Sequence, residues 1–146
     1  MKLFTFKGGT HPPERKDLTE DKAIEIFKTP KKVYISLLQH IGAPLEPLVK
    51  VGDEVKLGQK LADSESFLSV PVHSPVSGKV LSIDIFPFPV NGLVKTILIE
   101  NDEKDEWIQI KGHKYYKKLS KEELIKLVRE YGIVGQGGAA FPTFVK

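Results

Sequence analysis

The sequence predicts a mainly β chain, α+β overall, whose strands curl into a small closed or sandwiched sheet. Three observations carry this. Between Val49 and Ile83, short apolar–polar alternations (Val55/Leu57, Val70/Val72, Val80/Ile83) are cut by turns at Gly52-Asp53, Gly58-Gln59, Ser74-Pro75 and Ser77-Gly78. Two further runs rich in β-formers, Lys31–Leu38 and Val94–Glu100, flank that stretch. Only Ser120–Gly132 carries a full set of helix signals. Each strand is too short to stand alone, so the strands must pair and bury a common face.

Taken in order, Met1–Pro13 holds Gly8-Gly9 and Pro12-Pro13 and predicts an extended arm with turns. Asp17–Phe27, with Leu18, Ala23, Ile24 and Phe27, is weakly helical at best, and Pro30 ends it. Lys31–Leu38 is the first clear strand, Val33 and Ile35 alternating with Tyr34 and Ser36, and His40–Pro44 is a loop. Phe86-Pro87-Phe88-Pro89 is not expected in a central strand, because alternating prolines remove ladder donors. Its two phenylalanines either form an exposed contact surface or cover one end of the barrel. Val94–Glu100 is a strand, followed by the charged turn Asn101–Asp105 before Trp107 and Ile108.

In the helix, Ser120 and Glu123 make a capping box, Leu119 and Leu124 stand where a hydrophobic staple belongs, and Gly132 is the stop. Leu124, Leu127, Val128 and Tyr131 form a stripe at helical spacing, which reads as core packing. The chain then runs GIVGQGGAAFPTFVK. Gly135, Gly137 and Gly138 free the backbone for close approach, and consecutive amides can cradle a phosphate. GxGxxG is missed at Ala140, a helix rather than a strand precedes it, and no Lys-Ser/Thr follows as in a P-loop. On spacing alone, a linker or helix-capping loop and a ligand loop stand equal.

Composition narrows the classes. A chain of 146 residues, 40% hydrophobic, buries one core of ordinary size. It has no run of 18 apolar residues for a membrane span and no apolar leader near Met1. Without cysteine it offers no disulfide, thiolate metal site or iron–sulfur ligation. His11, His40, His73 and His113 are scattered without metal-ligand spacing. The charge of +3 comes from 22 basic and 19 acidic residues. The basic residues are nearly all lysine, mixed with glutamate, so no nucleic-acid partner is expected.

The order GDxVxxGQ, hairpin, xSPxxGxV resembles the biotinyl/lipoyl carrier domain, a barrel-sandwich hybrid. That resemblance implies a hairpin tip bearing a modified lysine. Here the tip is Asp63-Ser64-Glu65-Ser66-Phe67-Leu68-Ser69, with no lysine between Lys60 and Lys79. The fold is therefore expected without biotin or lipoate.

GGTHPPERK, QHIGAP, VKVGDEVKLGQ, VPVHSPVSGKV, IENDEKDEW and GIVGQGGAAFPT together resemble the N-terminal portion of the C component of the Rnf electron-transport complex. The A component of the sodium-pumping NADH:quinone reductase is a more distant resemblance. The final motif is also similar to the GRGGAGFPT loop of the NADH-binding flavoprotein of complex I, which contacts FMN and NADH. That likeness implies a cofactor-binding loop at Gly135, Gln136, Gly137, Gly138, Ala139, Ala140 and Phe141, continuing to Pro142 and Thr143. Gln136 stands for the arginine, removing a charge, and Ala140 for a glycine, removing easy access to positive φ.

The resemblance further implies a peripheral, cytoplasm-facing subunit of a membrane-bound, ion-pumping NADH:ferredoxin oxidoreductase. Its cofactors would be FMN and NADH, with 4Fe-4S clusters in a downstream part. Its partners would be the other subunits, NADH and ferredoxin. The expected organisation is an arm at 1–30, a barrel-sandwich domain at 31–112, and at 113–146 a helix and loop opening a nucleotide-binding domain. By itself this stretch is expected to be inactive. The competing reading is an interaction module without cofactor, its glycines a linker.

Overall fold

The computed structural model describes residues 13–89, 92–110, 112 and 115–146. Among the described residues seven strands form two antiparallel sheets. In chain order these are β1 (Lys32–Ser36), β2 (Glu46–Pro47), β3 (Glu54–Val55), β4 (Lys60–Asp63), β5 (Val72–His73), β6 (Gly78–Phe88) and β7 (Gly92–Asn101). One sheet has the order β1-β7-β6-β3 and the other β2-β4-β5. β7 is central: β1 lies along it from Lys32↔Glu100 to Ser36↔Thr96, and β6 along its other side from Gly78↔Asn101 to Phe88↔Gly92. The β6–β7 register slips between Val80 and Ser82, a bulge that adds twist where the sheet must curl. A second slip falls between Lys60 and Ala62 in β4.

Both sheets feed one core. Ile35, Val55, Val80, Ile97 and Ile99 from the first meet Leu61, Ala62 and Val72 from the second, joined by Leu37, Leu45, Val49 and Val76 from the connections. This is the barrel-sandwich arrangement that the alternating runs and turns predict. The Met1–Pro13 arm lies, except for Pro13, outside the described residues. Asp17–Phe27 gives only a 3-10 turn at Lys16–Leu18, and Ile24, Ile26 and Phe27 are exposed.

The run Phe86-Pro87-Phe88 keeps out of a central strand position, as its prolines require. β6 runs straight through Phe86-Pro87-Phe88, paired with Val94, Leu93 and Gly92. Proline is tolerated because β6 has a second neighbour, β3, only at Gly78 and Lys79, so its far half is an edge. The two phenylalanines are half-buried rather than fully covering or fully exposed, and Phe86 sets its ring edge against Tyr34, centroids 5.0 Å apart.

The expectation that is corrected concerns the helix, α1 (Lys121–Glu130). Its ends follow the sequence: Ser120 Oγ accepts from Glu123 N–H (3.2 Å), and Glu123 Oε2 accepts from Ser120 N–H (2.7 Å). At the other end Gly132 takes φ 67° and donates to Arg129 O, while Ile133 N–H reaches back to Val128 O, a Schellman closure. Yet α1 contains no buried residue. Leu127 and Val128 are half-buried, and Leu124 and Tyr131 are exposed. The stripe is not core because α1 sits outside the barrel and grips it through charged side chains.

Candidate functional site

The Gly-rich segment is a closed loop. Gly135 N–H donates to Phe141 O and Thr143 N–H to Ile133 O, both at 3.0 Å, around a Val134↔Pro142 bridge. The base is therefore Gly135 and Phe141, both half-buried, with buried Pro142 beside them and Thr143 opening a 3-10 turn, Thr143–Val145. Gln136, Gly137, Gly138 and Ala139 form an exposed tip, and Ala140 is half-buried. Ala139 O accepts the amide of Ile41 at 3.1 Å, fixing the tip to the barrel.

The glycines are not where the backbone needs them. Ala140 holds the left-handed conformation, φ 50°, a geometry that costs an L-residue about 1–2 kcal/mol. Gly135, Gly137 and Gly138 lie outside that region. A Cβ built at Gly137 or Gly138 would meet nothing within 4 Å. The amides of Gln136, Gly137 and Gly138 donate to no atom of the described residues.

Gly138, Ala139 and Ala140 form one wall of an open cleft of about 820 Å³. The facing wall is barrel: Tyr34, Ile41 and Phe88 line it. The cleft thus combines small-residue backbone with aromatic and aliphatic surface, a lining suited to a flat ring. Gln136, Gly137, Gly135 and Phe141 do not line it. His40, also in the lining, is held by the backbone: Nδ1 lies 3.1 Å from Ile41 O, and Nε2 accepts the Val70 amide at 3.2 Å. Among the described residues no three His, Asp or Glu side chains converge as a metal site.

A network of charges joins the barrel to the helix that launches the loop. Arg129 grips Asp63 with both guanidinium ends, Nη2–Oδ1 2.8 Å and Nη1–Oδ2 3.3 Å, and donates to Ser64 O at 2.6 Å. Lys60 bridges Asp63 (3.1 Å) and Glu130 (2.5 Å). Burial would raise the Asp63 carboxyl, but hydrogen bonds from Arg129, the Ser64 amide and Lys60 outweigh it and hold it below its ordinary range. Burial would likewise lower the Lys60 ammonium, and Glu130 and Asp63 reverse this and raise it. Burial, then the charge of Lys60, push the nearby His73 imidazolium down. Lys60 stands at the base of the hairpin whose tip bears the modified lysine of carrier domains, and it is engaged in this network.

Sequence reasoning missed the barrel wall of the cleft and the Asp63–Arg129 pair. A signal for the second existed: apart from Arg15, Arg129 is the chain's single arginine among many lysines.

The chain matches the family described as RnfC barrel sandwich hybrid domain over residues 4–104. It is similar to the C component of the proton-translocating ferredoxin:NAD(+) oxidoreductase complex of Clostridium ljungdahlii, 48% identical over 99% of this chain and 32% of that protein. It is also similar to the C component of the Na(+)-translocating ferredoxin:NAD(+) oxidoreductase complex of Acetobacterium woodii, 43% identical over 100% of this chain and 33% of that protein. With the C component of the ion-translocating oxidoreductase complex of Rhodobacter capsulatus the identity is 39%, over 100% of this chain and 28% of that protein. The chain thus spans about a third of the length of these curated relatives. Among the described residues no helix is long and apolar enough to cross a membrane.

Proposed function

The chain belongs to the RnfC barrel-sandwich family, and from that membership we propose that it forms the N-terminal part of the NADH-oxidising subunit of a membrane-bound, ion-translocating ferredoxin:NAD oxidoreductase. In this reading residues 31–112 are scaffold and docking domain, and 113–146 open the FMN/NADH-binding part. The subunit is peripheral, on the cytoplasmic face, with the other subunits, NADH and, through the complex, ferredoxin as partners. Its iron–sulfur clusters are carried downstream, since this stretch has no cysteine.

One observation carries the reading. The loop spends glycine at Gly137 and Gly138, where neither φ nor crowding asks for it, and alanine at Ala140, where φ does. Local stability does not explain that pattern, whereas close approach by a ligand does. Gly138 and Ala139 would face its phosphate, while Tyr34 and Phe88 offer surface for a ring. FMN, when bound, supplies the step from two-electron hydride acceptance to single-electron delivery. The protein's share is orientation of the ring and its anionic group.

The test follows NADH-dependent reduction of an artificial acceptor by the full-length subunit, clusters reconstituted and FMN added, beside Gly138→Asp. The added side chain has open space, so the fold survives it. A carboxylate about 4 Å from a phosphate at an effective dielectric near 20 costs about 4 kcal/mol, a loss approaching a thousandfold in affinity. Equal activity in both proteins would move the site elsewhere. A second reading, an interaction module without cofactor, has the unburied apolar stripe of α1 in its favour. Absence of activity in both proteins, with clusters present, would select it.

A further inference from the structure

The connector between β4 and β5 touches each element that borders the loop. Where it leaves β4, Asp63, the last strand residue, and Ser64 hold Arg129, in the last turn of α1. Phe67 lies edge-on to Phe144, centroids 6.3 Å apart, beyond the loop's closing bridge. Leu68 O accepts the Ala43 amide at 3.2 Å, and a Cβ on Gly42 would overlap that same carbonyl. The Val70 amide donates to His40, whose neighbour Ile41 fixes Ala139. One short segment thus ties down the helix before the loop, the turn after it and the barrel residue that anchors its tip.

The strongest of these ties is the fork of Arg129 on Asp63, with both side chains only about a fifth exposed (22% and 21%). A planar guanidinium held by two parallel bonds fixes direction as well as distance, which an ammonium at the same place cannot do. From Arg129 the path to the loop is short and stiff: the Schellman closure at Gly132, then the Val134↔Pro142 bridge. We propose that Asp63 and Arg129 are a positioning pair for the Gly-rich loop, so that the hairpin which holds a cofactor in carrier domains here holds the loop that contacts one. This rests on the reading of Gly135–Ala140 as part of a flavin nucleotide site.

The test uses the full-length subunit with Arg129→Lys, Arg129→Gln and Asp63→Asn. Hydrogen exchange is read at the bonded amides that close and anchor the loop, those of Gly135, Thr143 and Ile41, and, as reference, in β6 and β7, with FMN affinity from titration of flavin fluorescence. A positioning role predicts loop exchange about tenfold faster and FMN binding about tenfold weaker in all three, Arg129→Lys included, with β6–β7 exchange unchanged. A merely electrostatic brace predicts wild-type behaviour for Arg129→Lys, which keeps the charge, and that result overturns the proposal. So does unchanged loop exchange in Arg129→Gln, or faster exchange with unaltered FMN affinity. Should the wild-type subunit itself fail to bind FMN, the flavin-site reading falls, and loop exchange alone then decides whether the pair positions the loop.

Discussion

Replacing Ala140 by glycine tests whether the loop stores backbone strain. Ala140 sits at φ 50°, where its Cβ costs about 1–2 kcal/mol. Removing the Cβ recovers that, against about 0.4–1 kcal/mol for the added freedom of glycine in the unfolded chain. The net is roughly 0.5–1 kcal/mol in favour of Ala140→Gly, which for a chain of 146 residues raises the melting midpoint by about 2–3 °C. The same arithmetic applied to Gly138→Ala has no strain to add, because Gly138 is outside the left-handed region and its Cβ would meet nothing. That change is therefore also stabilising, by about 0.4–1 kcal/mol through the unfolded state. Both substitutions are measured by thermal melts followed by circular dichroism, with hydrogen exchange at the loop to catch local opening. A lowered midpoint for Ala140→Gly would refute the left-handed assignment at that residue. A marked loss for Gly138→Ala would mean that the glycine is needed by the fold, removing the argument that it serves a ligand.

Two other expectations concern the barrel. Asp63 has a folded pKa below its ordinary 3.8, so its stabilising contribution is complete above that value and drains away as the pH falls through the lowered one. His73, pushed below its ordinary 6.5, acts with the same sign in a higher window: stability falls as the pH drops below 6.5, because the unfolded chain takes up the proton first. Urea melts between pH 3 and 8 should show both limbs, with His73→Gln flattening the upper and Asp63→Asn the lower; limbs unchanged in the variants would refute the assignments. Gly42→Ala combines φ 127° with overlap on the Leu68 carbonyl and should cost on the order of 2–3 kcal/mol in chemical denaturation, whereas a cost under about 0.5 kcal/mol would mean the two segments are not in close approach.

What could be seen in the sequence was local. The turns around Gly52, Gly58 and Gly78, the alternation through Val55, Val72 and Val80, and the Ser120–Glu123 box depend on residues a few positions apart, and the fold follows them. The Gly-rich stretch could be singled out for the same reason. Its cleft could not, since Tyr34 and Phe88 reach Gly138 only through the tertiary fold, and the prolines beside Phe88 rule out a central strand without showing the edge position the segment takes. The α1 stripe misled because spacing shows which residues share a face but not whether anything lies against it. Nor does spacing show that Asp63 and Arg129, 66 positions apart, will meet.

The separation between those two residues sets an order of assembly. The β6–β7 hairpin closes within Gly78–Asn101, while Lys60 and Asp63 wait for partners near 130. Loop closure over such a span follows, rather than precedes, formation of neighbouring hairpins. During synthesis the barrel strands leave the ribosome first, and domains fold as they emerge. The barrel's half of the latch is therefore in place before Arg129 reaches it. The Gly-rich loop would then acquire its shape on a finished template.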